Sequence, residues 1–409
     1  MAFVVGIMIG TGIYVQPQVV AQRAPEAWQN LLLWAAGGLF ALSGAIVYAR
    51  LSAVWPQSGG AFVYLRNCYG EWVASLLLAA DVLLGRPAAV GALATGLGLI
   101  WGLDSQATLL LAATTLVCLT AGQLLGRQAT GGIQVVLTMM QMLPLVLVGL
   151  AGASLPPAPS VPPAPDQPVL WASGFLAVMW AYDGWYNITI LGGEVEKPEI
   201  NLRRSLIGGV LMVTIVYVGL NALLLSRIPR ADIVATVLPF SALLAGWGLS
   251  HLGVVLKASL SLALLATLNG ILACGPSMLA ASGLGGRALA SPRRSTALFS
   301  CWCLGLLLLF AGLPSQFELF NQMTDYTSVI VAALSGLTVT CLFHLGRFAH
   351  RPDPLSVLAA LVFLAIDGAL MVRLAGERPG LALGGSLSVL LAGSVLHLLR
   401  RRDSLGQEG

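Results

Sequence analysis

The sequence predicts an all-α integral membrane protein of twelve transmembrane helices, the first and sixth of them discontinuous. Three observations lead there. Long apolar runs recur from one end of the 409 residues to the other. Only 9% of the residues are charged and 57% are hydrophobic, whereas soluble proteins carry about a quarter charged residues. Two of the runs are interrupted by glycine-rich stretches at mid-depth.

Taken in order, the spans fall at roughly 2–20, 28–54, 71–101, 107–125, 130–152, 169–192, 205–226, 251–282, 295–313, 317–345, 354–374 and 380–399. Runs such as 31–49, 135–151 and 206–225 match the ~20 residues that cross a ~30 Å hydrocarbon core. Pro56, the PPAPSVPPAP run ending at Pro165, Pro229 and Pro354 punctuate the connections. Continuous apolar runs, rather than alternating ten-residue segments, disfavour a β-barrel. The spans divide into residues 1–152 (helices 1–5), 169–345 (helices 6–10) and 354–399 (helices 11–12), all in a single membrane domain. The first run lacks a basic leader and a clear cleavage site, so it reads as a helix rather than a signal peptide. It begins with almost no preceding sequence, and the natural start is expected upstream.

Fourteen of the 21 Lys and Arg residues lie at the termini and even-numbered connections, and five lie on the other side. The positive-inside bias puts both termini in the cytoplasm. Orientation accounts for the net charge of +4, and no basic patch interleaved with aromatics suggests nucleic acid. Six cysteines are scattered without zinc-like spacing, and packing is their expected use. The four histidines, at or near span ends, do not form a metal cluster or proton relay. No cofactor or metal is expected, and no P-loop is present.

The interruptions carry the functional argument. GIMIGTGIY, residues 6–14, has Gly10-Thr11-Gly12 where a helix should be continuous. WAYDGWY, residues 180–186, has Asp183-Gly184 in the sixth span. Broken backbone is tolerable in a bilayer only where it lines a polar cavity or is buried in protein. One such break is most simply a close helix contact. Two, in the first and sixth of twelve spans, fit two five-helix inverted repeats that each open with a discontinuous helix and hold a ligand between the breaks. N–H groups at a half-helix start suit a carboxylate. Carbonyls at a half-helix end suit an ammonium, and a site reading both suits an α-amino acid.

Other charges lie within spans. Asp81 and Arg86 are five residues apart on the third, where a four-residue spacing would pair better on an α-helix; Arg86 is otherwise expected to snorkel or meet another helix. Lys257 reads as interfacial, Asp325 as a weak candidate for an outer gate beside Tyr326, and Asp367 as structural.

These residues also carry a family resemblance. GIMIGTGIY resembles the first-helix motif of the amino acid–polyamine–organocation superfamily. WAYDGW with Gly193-Glu194-Val195 and Lys197-Pro198 is similar to the sixth helix and following loop of the L-type amino-acid transporter family. Pro56-Gln57-Ser58-Gly59-Gly60-Ala61, Tyr64-Leu65, Tyr69-Gly70, Arg86-Pro87, Asn269-Gly270 and Gly275-Pro276 resemble further motifs of that family. After residue 283 only the span pattern matches. The resemblance implies a LeuT-like five-plus-five inverted repeat and a secondary transporter or exchanger of L-amino acids in the cell membrane.

It further implies substrate contacts at Met8, Ile9, Gly10, Thr11, Gly12, Trp180, Ala181, Tyr182, Asp183 and Gly184. Amides of Gly10–Gly12 would take the carboxylate, and carbonyls around Met8 and Trp180–Tyr182 the amine. Trp180 stands at the family's aromatic gate. Asp183 either caps the unwound backbone or pairs with a cationic substrate. Gln141 stands at the coupling position, where many relatives have a Lys; it can hydrogen-bond to the first helix but cannot titrate, which favours exchange over proton coupling. Ala280-Ala281-Ser282-Gly283 replaces a charged motif, so gating there is expected to differ. The 102–106 loop has no cysteine, so no disulfide-linked accessory chain is expected. A non-transporting amino-acid sensor and a polyamine or organocation permease are the alternatives. A membrane enzyme is disfavoured because no histidine accompanies the Ser and Thr of the spans.

Overall fold

The computed structural model describes residues 1–157, 169–236, 238–246, 248, 253–284, 291–309, 332–348 and 350–377, with isolated positions between 390 and 397. The chain runs through α1 (Ala2–Met8), α2 (Thr11–Arg23), α3 (Ala27–Val54), α4 (Ala61–Tyr69) and α5 (Glu71–Leu78). A π-helical turn, Ala79–Gly85, leads into α6 (Arg86–Ile100), α7 (Ser105–Leu124), α8 (Arg127–Ser154), α9 (Trp171–Tyr182) and the single turn α10 (Asn187–Ile190). Then come α11 (Pro198–Arg227), α12 (Arg230–Ala235), α13 (Phe240–Gly246), α14 (Gly253–Ala281), α15 (Pro292–Leu309), α16 (Ala332–Phe348) and α17 (Pro354–Glu377). No strand occurs among the described residues.

Seven of these helical stretches are long and apolar enough to cross a bilayer, and α1 with α2, bent by 43°, brings the number to eight. The sixth predicted span appears as α9 and α10, separated by the turn at Asp183–Tyr186. The ninth appears as α15, and the tenth ends in α16 but begins outside the described residues. The twelfth span lies largely outside them too, as do most of the proline-rich run and Asp325 with Tyr326.

The chain forms two compact units. The first comprises Met1–Leu42, Ile133–Trp185 and Ile207–Thr267. Here α2 lies along α9, and small residues let helices approach: a Cβ at Gly37 would meet the Tyr182 ring at 3.0 Å, and one at Gly38 would meet Thr214 Oγ1 at 2.7 Å. Without a hydrophobic drive between helices in lipid, such close packing and interhelical hydrogen bonds hold a bundle together.

The second unit comprises Ser43–Gly132, Tyr186–Leu206 and Leu268–Gly409. Its polar centre is an ion pair buried on the third span. Arg86 Nε donates to Asp81 Oδ2 at 2.9 Å, and a terminal Arg86 nitrogen stands 2.8 Å from the same oxygen. The five-residue spacing works because the backbone is π-helical there: the Arg86 N–H donates to the Asp81 carbonyl, and i→i+5 bonding stacks residues five apart. The guanidinium also donates to Asn187 Oδ1 at 2.8 Å, tying the third span to the start of α10. Snorkelling is thus not what Arg86 does.

Gln123, Thr130 and Asn269 form a second buried network: Gln123 Nε2 donates to Asn269 Oδ1 at 2.8 Å, and Thr130 Oγ1 to Gln123 Oε1 at 3.0 Å. The Pro56–Gly60 turn rests on Gly59 and Gly60 at φ 119° and 52°. There Gly59 N–H donates to the Ile190 carbonyl at 2.8 Å. Asp353 caps α17, accepting from the Ser356 amide at 3.0 Å and from its hydroxyl at 2.7 Å. Those bonds, with the Arg50 charge, hold the Asp353 carboxyl below its ordinary range.

Two outcomes follow. Arg86→Met strands the buried Asp81 carboxylate and is expected to destabilise the protein by about 3–5 kcal/mol, read as a lowered melting temperature in detergent; adding Asp81→Asn should recover part of it. Asp353→Ala is expected to remove about 1 kcal/mol. Because the folded-state carboxyl is the stronger acid, that contribution is present above the ordinary carboxylate range and fades as pH falls through it. The difference in melting temperature between parent and variant should therefore shrink in acid.

Candidate functional site

Every residue singled out at the two interruptions, Gln141 included, belongs to the first unit. The helix of α1 stops because Ile9 (φ −77°, ψ 72°) and Gly10 (φ −102°, ψ −151°) leave helical geometry. The Gly10 N–H turns back onto the Met8 carbonyl at 2.8 Å. A helix end inside an apolar span leaves its last carbonyls without helical donors, and here side chains from three other helices supply them. Gln141 Nε2 of α8 donates to the Gly6 carbonyl at 3.2 Å. Thr267 Oγ1 of α14 shares its proton between the Ala263 carbonyl of its own helix at 3.0 Å and the Ile7 carbonyl at 3.5 Å. Tyr217 of α11 donates to the Met8 carbonyl at 2.6 Å.

α2 then begins at Thr11 with Gly10 as N-cap and no side-chain cap. Its first N–H groups are those that a helix start leaves without helical acceptors, and they carry the positive end of the helix dipole. A Cβ at Gly10 would meet Thr267 Oγ1 at 3.2 Å.

The other interruption is built differently. α9 ends at Tyr182, the Asp183 backbone turns extended (ψ 158°), and Gly184 takes φ 95°, where a side chain would strain the chain. The Asp183 N–H reaches the Trp180 carbonyl at 3.4 Å. The Ala181 carbonyl accepts from the same Tyr217 hydroxyl that serves Met8, at 3.2 Å.

The two interruptions touch. A Cβ built on Gly12 would overlap the Ala181 Cα and lie 2.7 Å from its Cβ. A half-helix start and a half-helix end are therefore in contact, one presenting amides and the other carbonyls. Around them Trp34, Tyr182 and Tyr217 form an aromatic cluster, with Tyr217 centroids 5.6 Å from Trp34 and 5.1 Å from Tyr182.

Met8, Ile9, Gly12, Ala181, Tyr182, Gly184 and Gln141 are buried, Gly10 and Thr11 are half-buried, and Asp183 is exposed. Trp180 is 38% exposed. The Met8 carbonyl, expected to take an amine, already accepts two hydrogen bonds. Among the described residues the Ala181 carbonyl takes one, from Tyr217, and the Ile7 carbonyl the long bond from Thr267. Gln141 Oε1 is fully buried without a hydrogen-bond partner among the described residues.

Sequence reasoning missed Tyr217, Thr267 and Trp34. Tyr217 did leave a signal, a phenol in the middle of a largely apolar run, and a buried Tyr hydroxyl usually finds a partner. No metal-holding group of three His, Cys, Asp or Glu occurs among the described residues. A groove of about 260 Å³ between α8 and α11, lined by Met142, Leu145, Val146, Ile215 and Leu220 among others, is apolar and offers a charged ligand nothing.

The geometry defines a class: helical membrane proteins with interrupted helices. Comparison with known proteins makes this specific. The amino acid permease family model matches residues 1–395, and the chain belongs to that family. It is 27% identical over 251 residues to the serine/threonine exchanger SteT of Bacillus subtilis, covering 57% of this chain and 55% of SteT. It is 24% identical over 233 residues to the b(0,+)-type amino acid transporter 1 of Mus musculus, covering 53% and 48%. Against the large neutral amino acids transporter small subunit 2 of Rattus norvegicus it is 26% identical over 430 aligned positions, covering 97% and 78%. The matches thus span about half of the first two relatives and over three quarters of the third.

Gly12→Val would drive a branched side chain into the Ala181 backbone. Overpacking of this kind destabilises by about 1–3 kcal/mol, so a lowered melting temperature is expected in detergent. An unchanged melt would mean that α2 and α9 do not meet as described.

Proposed function

We propose that this chain is a secondary transporter of L-amino acids, working by alternating access in a twelve-span, five-plus-five inverted-repeat fold with both termini in the cytoplasm of a cell membrane. The observation that carries the reading is the contact between the amide-bearing start of α2 and the carbonyl-bearing end of α9. An α-amino acid offers one group to each. The amides of Thr11 and Gly12 would bind the carboxylate, helped by the dipole of α2. Because the Met8 carbonyl is already doubly bonded, the ammonium falls to the Ala181 and Ile7 carbonyls. These contacts replace the water that each charged group gives up on leaving solution. Trp180, 38% exposed, would close over bound substrate as a gate.

Neutral amino acids are the proposed main substrates, in keeping with the names of the serine/threonine exchanger and the large neutral amino acids transporter. Asp183 is the acid that would admit cationic ones. Exchange is the proposed mode, because Gln141 at the coupling position cannot titrate. No disulfide-linked accessory chain is proposed, since the 102–106 loop has no cysteine.

Proteoliposomes loaded with unlabelled amino acids test the reading. Labelled amino acid is expected to enter only when internal substrate is present. Uptake following a pH gradient instead would overturn exchange, and saturable binding without uptake would favour a sensor of the same fold. Asp183→Asn should leave neutral uptake within about twofold and reduce cationic uptake at least tenfold; equal loss of both would remove Asp183 from substrate selection.

A further inference from the structure

We infer that Tyr217 determines how the site recognises an α-ammonium group, as a positioning residue that clamps the ends of both interrupted helices with one hydroxyl. The inference rests on the amino-acid reading above. A phenol has one proton to donate, and here it lies 2.6 Å from the Met8 oxygen and 3.2 Å from the Ala181 oxygen. It hydrogen-bonds to carbonyls of both interruptions. The two acceptors sit on different helices, 173 positions apart in sequence. Each belongs to the last turn before a break, where no helical N–H is in register to hold it.

The clamp is rigid. Tyr217 is fully buried. Trp34 meets its ring edge-on at 5.6 Å and Tyr182 at 5.1 Å, interplanar angles 84° and 64°. Edge-to-face packing of this kind fixes a ring's orientation as well as its place. The hydroxyl therefore has little freedom to follow one carbonyl and abandon the other.

Two consequences follow for a bound amine. With Gly10 N–H and Tyr217 both on the Met8 oxygen, that carbonyl is withheld from the ligand. The longer bond to Ala181 leaves that oxygen capacity for a second donor while holding it beside the first break. Tyr217 thus sets which carbonyl faces the ammonium and where that carbonyl stands relative to the amides of α2. A carboxylate bound at Thr11 and Gly12 makes no use of the phenol. Losing the hydroxyl should therefore change recognition of the amine and leave that of the carboxylate alone.

The test uses the full-length protein in proteoliposomes and Tyr217→Phe, which keeps the ring and deletes the hydroxyl. The probes are alanine or serine, whichever the parent takes up better, and the matching 2-hydroxy acid, which keeps the carboxylate and lacks the amine. Each is measured as a competitor of labelled uptake. In the parent the amino acid should compete far better than the hydroxy acid. In Tyr217→Phe the amino acid is expected to weaken by about tenfold or more, while the hydroxy acid stays within twofold, so the preference between them collapses. Proportional weakening of both would reduce Tyr217 to a packing residue and overturn the inference, as would unchanged competition by both. If Tyr217→Phe does not assemble, Trp34→Phe keeps the hydroxyl but loosens its ring; a smaller loss of preference in the same sense is expected, and an unchanged preference overturns the inference. Failure of the parent to take up any amino acid would strike the transport reading itself, and the competition measured by binding to the purified parent and variant would still decide the role of Tyr217.

Discussion

A hydrocarbon environment offers no water to a broken helix, and the first unit of this protein is organised around that constraint. Interrupting α1 and α2 at Ile9 and Gly10 releases the carbonyls of Gly6, Ile7 and Met8 from their helical donors. Each is met by a polar side chain from a different helix: Gln141, Thr267 and Tyr217. An unpaired carbonyl in such a setting is worth several kcal/mol of destabilisation, so the interruption and its three donors are one device. Remove the donors and the break has no reason to persist; remove the break and three polar side chains are left buried in apolar helices.

The same device explains how the site can exist at all. The Met8 carbonyl is tied up by the protein, while the amide side, at the start of α2, has a glycine for its cap and no side-chain cap hydrogen bond. The second interruption shows the same economy. Its turn depends on Gly184 in the left-handed region, and its Ala181 carbonyl shares the Tyr217 hydroxyl with Met8. In the proposed site the start of α2 and the Ala181 carbonyl would supply polar groups of both signs, beside the aromatic cluster of Trp34, Tyr182 and Tyr217. Preorganised groups of this kind bind a charged ligand with little rearrangement.

The second unit answers the same constraint in another way. Asp81 and Arg86 are both charged within a span, and neither is left alone: the π-helical turn puts one opposite the other, and Asn187 takes a further guanidinium proton. Gln123, Thr130 and Asn269 hydrogen-bond to one another. Buried polar groups in a membrane protein serve as connectors between helices when they are matched, because the alternative partner is lipid.

Much of this was legible in the residues. Apolar run length and the scarcity of charge announced a helical membrane protein, and Gly10-Thr11-Gly12 and Asp183-Gly184 marked the interruptions, because glycine and an acid are poor choices for a continuous span. Those are local properties, set by each segment's own composition and backbone freedom. The partners were not local. Nothing in the neighbourhood of Tyr217 says that its hydroxyl will reach residues 8 and 181, and the Asp81–Arg86 spacing misleads anyone assuming an α-helix. Which donor meets which carbonyl, and which glycine faces which backbone, depends on how separate segments come together, and only the tertiary structure decides it.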